Sequence, residues 1–203
     1  MLKPFVPVFF GGKNGEDGKT VISMENLLRE ATDPAFMDVK MGTETVTMNT
    51  RQKGEKEIQR RLDKDARTTS LELGYTCVGY KVKTASGEFE KGVKCNTPKD
   101  ELLDLFKKVF WTQGVDGEID RAGLDSIKEQ LREILAHFQN VNEHEIRGSS
   151  LFFVVSPQTA FYTVKLIDLN SVRPLSEVEG YDGERDQGMI TGFTNLLNDL
   201  EQL

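Results

Sequence analysis

The sequence predicts an α+β domain, and three observations carry that expectation. Short runs rich in Phe, Val, Ile and Tyr, some alternating in polarity, read as strands near both ends and in the middle of the chain. Two longer stretches and the C-terminal tail keep the apolar spacing of helices. The two types never settle into the regular strand–helix–strand alternation of a parallel sheet. A chain of 203 residues is the size of one domain with room for lobes, and 37% hydrophobic positions supply the apolar content that a folded core needs.

FVPVFF (5–10) reads as the first strand and KTVISM (19–24) as its hairpin partner, with the glycine-rich GGKNGEDG turn between them. Residues 25–31 fit one or two helical turns, and Pro34 resets the backbone so that 35–40 runs extended. Alternation along that strand puts Phe36, Asp38 and Lys40 on one face and Ala35, Met37 and Val39 on the other. Residues 53–67 turn helical and basic, and from Arg51 to Arg67 seven basic residues stand against four acidic ones. Residues 71–84 and 87–94 read as strands around a Ser86-Gly87 turn. Two amphipathic helices follow, about 99–110 with Leu102, Leu103, Phe106 and Phe110 on a stripe, and about 123–138 with Leu124, Ile127, Leu131, Ile134, Leu135 and Phe138. Residues 151–156 and 160–169 form a second hairpin, and 189–203 close the chain as a helix.

Composition excludes several function classes. The formal net charge of −7 argues against non-specific nucleic-acid binding, although the basic segment stands out as a local site for an anionic ligand. No apolar stretch approaches the roughly 18 to 20 residues that cross a bilayer, and the first twenty residues lack signal-peptide order. Cytosol or nucleus is the expected compartment. Cys77 and Cys95 are too few for a disulfide framework and read as reduced thiols. Three apparent motifs fail on spacing. The Gly18-Lys19-Thr20 run has Lys13 where a phosphate loop needs glycine. The stretch 116–120 has Thr112 and Gly114 where a calcium loop needs its first ligands. His137 and His144 have no neighbouring metal ligands in sequence.

Three ordered segments carry a sharper signal: Pro34-Ala-Phe-Met-Asp38-Val-Lys40-Met-Gly42, of the form PxxxDxKxG; Gly148-Ser149-Ser150-Leu-Phe-Phe; and Leu166-Ile167-Asp168-Leu169. In this order they resemble the inositol polyphosphate kinase family. Its flanks are similar as well: FVPVFFGG, SMENLL, EHEIRGSS and the tail GERDQGMITGFTNLLNDL, while KTASGEFEKGVKCNTPKDELLDLF is nearest to inositol-trisphosphate 3-kinases. The resemblance extends over almost the whole chain and also takes in the inositol polyphosphate multikinases. It implies a two-lobed fold of the protein-kinase-like or SAICAR-synthase-like type, with a reduced N-terminal lobe and hinge over 1–32, a C-terminal lobe over 33–203 and a short helical substrate-binding insertion over 50–67.

The activity implied is transfer of a phosphoryl group from ATP, with Mg²⁺, to a hydroxyl of a soluble inositol polyphosphate, inositol trisphosphate first. Such chemistry needs a metal-bound triphosphate, an in-line hydroxyl and cationic clamps. By resemblance Asp168 holds the metal on the nucleotide phosphates with Ser150 supporting it, and the backbone of Glu25, Asn26 and Leu27 meets adenine. Asp38 orients or deprotonates the attacking hydroxyl or holds the ribose, and Lys40 binds substrate phosphate. Lys53, Lys56, Arg60 and Lys64, at spacings of three and four, form the expected phosphate-binding face.

Two departures qualify the resemblance. Leu169-Asn170-Ser171 replaces the family's Phe and the basic residue that follows it, with Arg173 as the candidate substitute. The chain also begins at the segment that follows the family's lysine-bearing strands, so the expectation is a nucleotide held from one side, in a fragment or a reduced kinase. The alternative function is a catalytically weak or inactive inositol-phosphate-binding relative. Neither nucleic acid nor membrane insertion is expected among the interactions, and the sequence names no protein partner.

Overall fold

The computed structural model of the chain describes residues 2–15, 18–84, 86, 88–92, 97–111 and 118–203. Cys95, Glu16 and Asp17 of the glycine-rich turn, Gly87, and Thr112, Gly114, Asp116 and Gly117 of the calcium-like stretch lie outside the described residues.

A five-stranded antiparallel sheet organises the molecule. Its strands are β3 (Ala35–Met41), β4 (Tyr75–Lys83), β5 (Phe89–Gly92), β7 (Ser150–Ser156) and β8 (Phe161–Ile167), in the spatial order β5-β4-β3-β7-β8. Strands β1 (Phe9–Asn14) and β2 (Thr20–Met24) form a separate hairpin, and β6 (His144–Ile146) pairs with β9 (Val172–Pro174). The helices are α1 (Met48–Gln52), α2 (Glu55–Asp65), α3 (Ser70–Leu73), α4 (Lys99–Val109), α5 (Arg121–Asn140) and α6 (Gln187–Leu200). None of the helices among the described residues is long and apolar enough to cross a membrane.

Strand β3 lies at the centre of the sheet and its alternation splits the molecule into two functions. Met37, Val39 and Met41 are fully buried and meet Phe106, Leu131, Ile134, Phe138 and Phe193 of α4, α5 and α6 in one apolar cluster. Burial on this scale, at about 25 cal/mol per Å² of apolar surface, is the main force holding the helices to the sheet. The opposite face of β3 carries Phe36, Asp38 and Lys40 and is left for chemistry.

Several sequence expectations shift in detail. Phe5 belongs to a 3₁₀ turn over Lys3–Phe5, where its ring lies 5.3 Å from that of His137 at a tilt of 58°, and strand pairing begins only at Phe9. Two prolines, Pro4 and Pro7, remove donors that a strand would need. Residues 26–31 make successive turns rather than a helix, closed by the amides of Arg29 and Ala31 on the carbonyls of Asn26 and Leu28. The expected strand from residue 71 opens instead with α3, which Gly74 ends at φ 72°.

Gly74 has a second role, because α6 crosses directly over it. A Cβ on Gly192 would collide with the Gly74 carbonyl oxygen and reach the Met41 side chain at 3.1 Å, so the two backbones touch only because both residues lack a side chain. Gly192→Ala is expected to lower stability by about 1–3 kcal/mol or more, the usual cost of overpacking a close contact. A denaturant midpoint equal to that of the wild type would contradict this packing.

Candidate active site

Asp38 and Lys40 stand on the open face of β3, and the strand register decides what surrounds them. Asp38 faces Gly79 on β4 and Phe152 on β7, while Lys40 faces Thr76 on one side and Ser150 on the other. Ser150 also pairs with Ile167, the residue before Asp168, so the strand order alone carries the three sequence segments to one place. Asp168 is exposed and adopts φ 61° at the end of β8. Aspartate is among the few residues that enter the left-handed region readily, and this geometry lifts its carboxylate off the strand path.

An apolar cleft of about 500 Å³ runs from the hairpin to this carboxylate. Glu25, Asn26 and Leu27 line one wall, Phe152 and Leu166 the other, and Asp168 stands at its end. Glu25 is tied to the hairpin twice: its amide donates to the Val8 carbonyl at 2.8 Å, and its Oε2 accepts from the Val8 amide at 3.0 Å. Ser156 fixes the following segment to β7 by accepting from the Thr32 amide and donating to the Thr32 carbonyl. The slot is apolar along its length and ends at a carboxylate.

Unpaired buried polar atoms concentrate around the two β3 residues. Seven buried side-chain atoms lack a hydrogen-bond partner among the described residues, and four of them belong to Asp38, Ser150, Thr76 and Arg61. Folded proteins satisfy the great majority of buried polar groups with protein or water, so this cluster, with Asp38 and Ser150 facing each other, leaves donors and acceptors available to water or a ligand. Lys40 is partly engaged, its Nζ donating to the Gly148 carbonyl at 2.8 Å, which leaves two ammonium protons for an anion. Burial pushes the Asp38 carboxyl above its ordinary range, opposed by the neighbouring Ser150 hydroxyl and Lys40 charge and reinforced by Asp168. The Lys40 ammonium is pushed down, first by burial, with Asp38 and Asp168 opposing and Arg61 and Lys64 adding to the effect.

Of the four cations expected on the phosphate-binding face of the basic insertion, Lys64 alone is half-buried with its charge reaching Lys40. Lys53, Lys56 and Arg60 are exposed, and Arg60 grips Glu57 on its own helix through Nε at 2.8 Å and Nη2 at 2.5 Å. Arg61 and Lys64 are half-buried and are the two cations whose charge reaches Lys40. Spacing of three and four residues identified a shared face without identifying which face turns inward. Nothing in the sequence distinguishes Arg61 from Arg60, and Thr76 carries no motif at all.

Arg173 does not take the place of the missing basic residue. Its Nε donates to Glu145 Oε2 at 2.6 Å, joining an ion-pair group with Arg147 and Asp186. Ser171 instead accepts from the Met48 amide at 3.2 Å, so the altered segment supports the start of α1. Among the described residues, no group of three or more His, Cys, Asp or Glu side chains converges to form a metal site. Asp168 and the Ser150 hydroxyl are oxygen donors suited to a hard divalent cation that would take its remaining ligands from phosphates and water.

Comparison with known proteins agrees with the fold. Residues 21–201 match the family model described as inositol polyphosphate kinase. The chain is 39% identical over 228 residues to inositol polyphosphate multikinase alpha of Arabidopsis thaliana, covering 98% of this chain and 75% of that protein. It is 26% identical over 240 residues to inositol-trisphosphate 3-kinase A of Homo sapiens, covering all of this chain and 50% of the relative, so it spans half the length of that enzyme. Its fold is similar to that of an inositol phosphate multikinase from S. cerevisiae solved in complex with ADP and Mn²⁺, with a TM-score of 0.79 at 17% identity over 99% of this chain and 89% of that one.

Proposed function

The chain belongs to the inositol polyphosphate kinase family, and from this we propose that it transfers the terminal phosphoryl group of ATP to a hydroxyl of a soluble inositol polyphosphate, with inositol trisphosphate as the first candidate. The observation that carries the reading is the group of unpaired buried atoms on Asp38, Ser150, Thr76 and Arg61, set between an apolar slot and a basic helix. A nucleotide and a polyanionic sugar are complementary to that arrangement.

The adenine ring occupies the slot beside Glu25, Asn26 and Leu27, which aims the phosphates at Asp168. Asp168 and Ser150 would hold Mg²⁺, whose role when bound is to neutralise the phosphate oxygens. Asp38 positions the attacking hydroxyl and accepts its proton, a role helped by a carboxyl whose burial has raised its basicity. Lys40, Arg61 and Lys64 clamp phosphates of the inositol, the guanidinium offering paired donors and the ammonium groups point charges. Phosphoryl transfer asks little more of a protein than such positioning and charge stabilisation.

Incubating the purified chain with Mg-ATP and inositol tris-, tetrakis- and hexakisphosphates tests the proposal, and turnover of at least one is expected. No product with any of them would sink it. The two arginines divide the insertion. Arg61→Ala is expected to raise KM for the inositol phosphate about tenfold or more, the loss of a charge-assisted contact of about 1.5–3 kcal/mol. Arg60→Ala, which breaks only a surface pair with Glu57, is expected to change it less than twofold. A larger effect from Arg60→Ala than from Arg61→Ala would place the substrate on the outer face instead.

A further inference from the structure

We propose that Asp65 is a positioning residue that anchors α2 to the segment leaving β3 and thereby sets where Arg61 and Lys64 stand relative to Lys40. Its consequence for substrate rests on the reading of that face as the inositol-phosphate site; the anchoring itself does not.

Helix α2 is attached in an unusual way. A helix on a globular surface normally docks through an apolar stripe. Here the one buried residue of α2 is a carboxylate, Asp65 at 5% exposure, while Leu62 is 38% exposed and Ile58 only half-buried. Asp65 Oδ2 accepts from the Thr45 amide at 2.8 Å and Oδ1 accepts from the Thr45 hydroxyl at 2.7 Å. Both partners are buried, Thr45 at 3% exposure, so water does not compete for these bonds.

Position strengthens the argument. Asp65 is the last residue of α2, where the exposed carbonyls of a helix disfavour negative charge. A carboxylate there opposes the local preference of the helix, so its contribution is to the tertiary contact. Thr45 follows Lys40 by five positions on the chain leaving β3, and Arg61 lies one helical turn before Asp65. The clamp therefore links the strand that carries Lys40 to the helix that carries the two inward cations. On its other side the insertion is pinned where Ser171 Oγ accepts from the Met48 amide at the start of α1.

Hydrogen–deuterium exchange and steady-state kinetics on Asp65→Ala, Thr45→Val and Thr45→Ser test this. Asp65→Ala is expected to speed amide exchange over 48–67 at least tenfold, with β3, β7 and α5 unchanged. It is also expected to raise KM for inositol trisphosphate at least fivefold while kcat and KM for ATP stay within twofold. Thr45→Val, which keeps the amide bond and loses the hydroxyl bond, should show the same pattern more weakly, and Thr45→Ser should restore wild-type behaviour. Should Asp65→Ala not fold, the two Thr45 variants decide the matter alone. Unchanged exchange over 48–67, loss of protection throughout the sheet, or an equal fall in kcat would each overturn the proposal. If the wild-type chain turns over no inositol phosphate, the functional reading fails, and the exchange data still decide whether Asp65 holds α2.

Discussion

Asp168→Asn is expected to reduce kcat/KM for Mg-ATP by at least about a hundred- to a thousandfold, the scale on which a single electrostatic group contributes to a transition state. The substitution is unusually clean. Asp168 sits at φ 61°, and asparagine enters that region as readily as aspartate. The side chain is exposed, so neither packing nor burial changes, and stability is expected to stay within about 0.5 kcal/mol. What the variant loses is one negative charge at the end of the apolar cleft. Calorimetric titration of Mg-ATP, paired with a thermal melt, separates the two effects. Activity within tenfold of the wild type would remove Asp168 from the site.

Asp38→Asn is expected to lower kcat by about 10²–10⁴, the range for a lost general base, with a smaller effect on nucleotide binding. It should also fail to destabilise the protein. Burial raises the Asp38 carboxyl in the folded chain, so the folded state binds that proton more tightly than the unfolded state does. Above the folded value the ionised group therefore opposes folding, and that penalty disappears as pH falls and the carboxyl is protonated. Asparagine carries no such penalty at any pH. The variant is expected to melt at or above the wild-type temperature near pH 7–8, and the gap should close on acidification. A variant that is inactive and also clearly less stable at neutral pH would mean that Asp38 is a structural group.

The two β3 residues were legible because a strand reports its faces directly. A period of two put Asp38 and Lys40 together and away from Met37 and Val39, and the fold kept that division. Helix α5 was legible for a similar reason, since six apolar positions at helical spacing allow only one buried stripe. The hairpin start is not legible at Phe5, because the apolar run there masks two prolines that block strand pairing. The short helix over Ser70–Leu73 is not legible either, because a single turn leaves no periodicity to detect.

The basic insertion shows where such reading stops. Periodicity grouped Lys53, Lys56, Arg60 and Lys64, yet Arg60 pairs with Glu57 at the surface while Arg61 is half-buried and its charge reaches Lys40. Arg173 looked available until its partner Glu145, distant in sequence, was brought beside it by the pairing of β6 with β9. Thr76 and Asp65 matter through register and through a buried pair twenty residues apart, neither of which a linear pattern records.

By itself, then, the sequence determined the strand faces, the core helices and the order of the segments that carry Asp38, Ser150 and Asp168, because each depends on neighbours within a few positions. Tertiary structure alone decided which cations face the site, which are consumed by other ion pairs and what holds the basic helix in place. Those outcomes depend on the partner a side chain meets across the fold, and a charged residue is equally at home in sequence whether that partner is solvent, a carboxylate or a substrate.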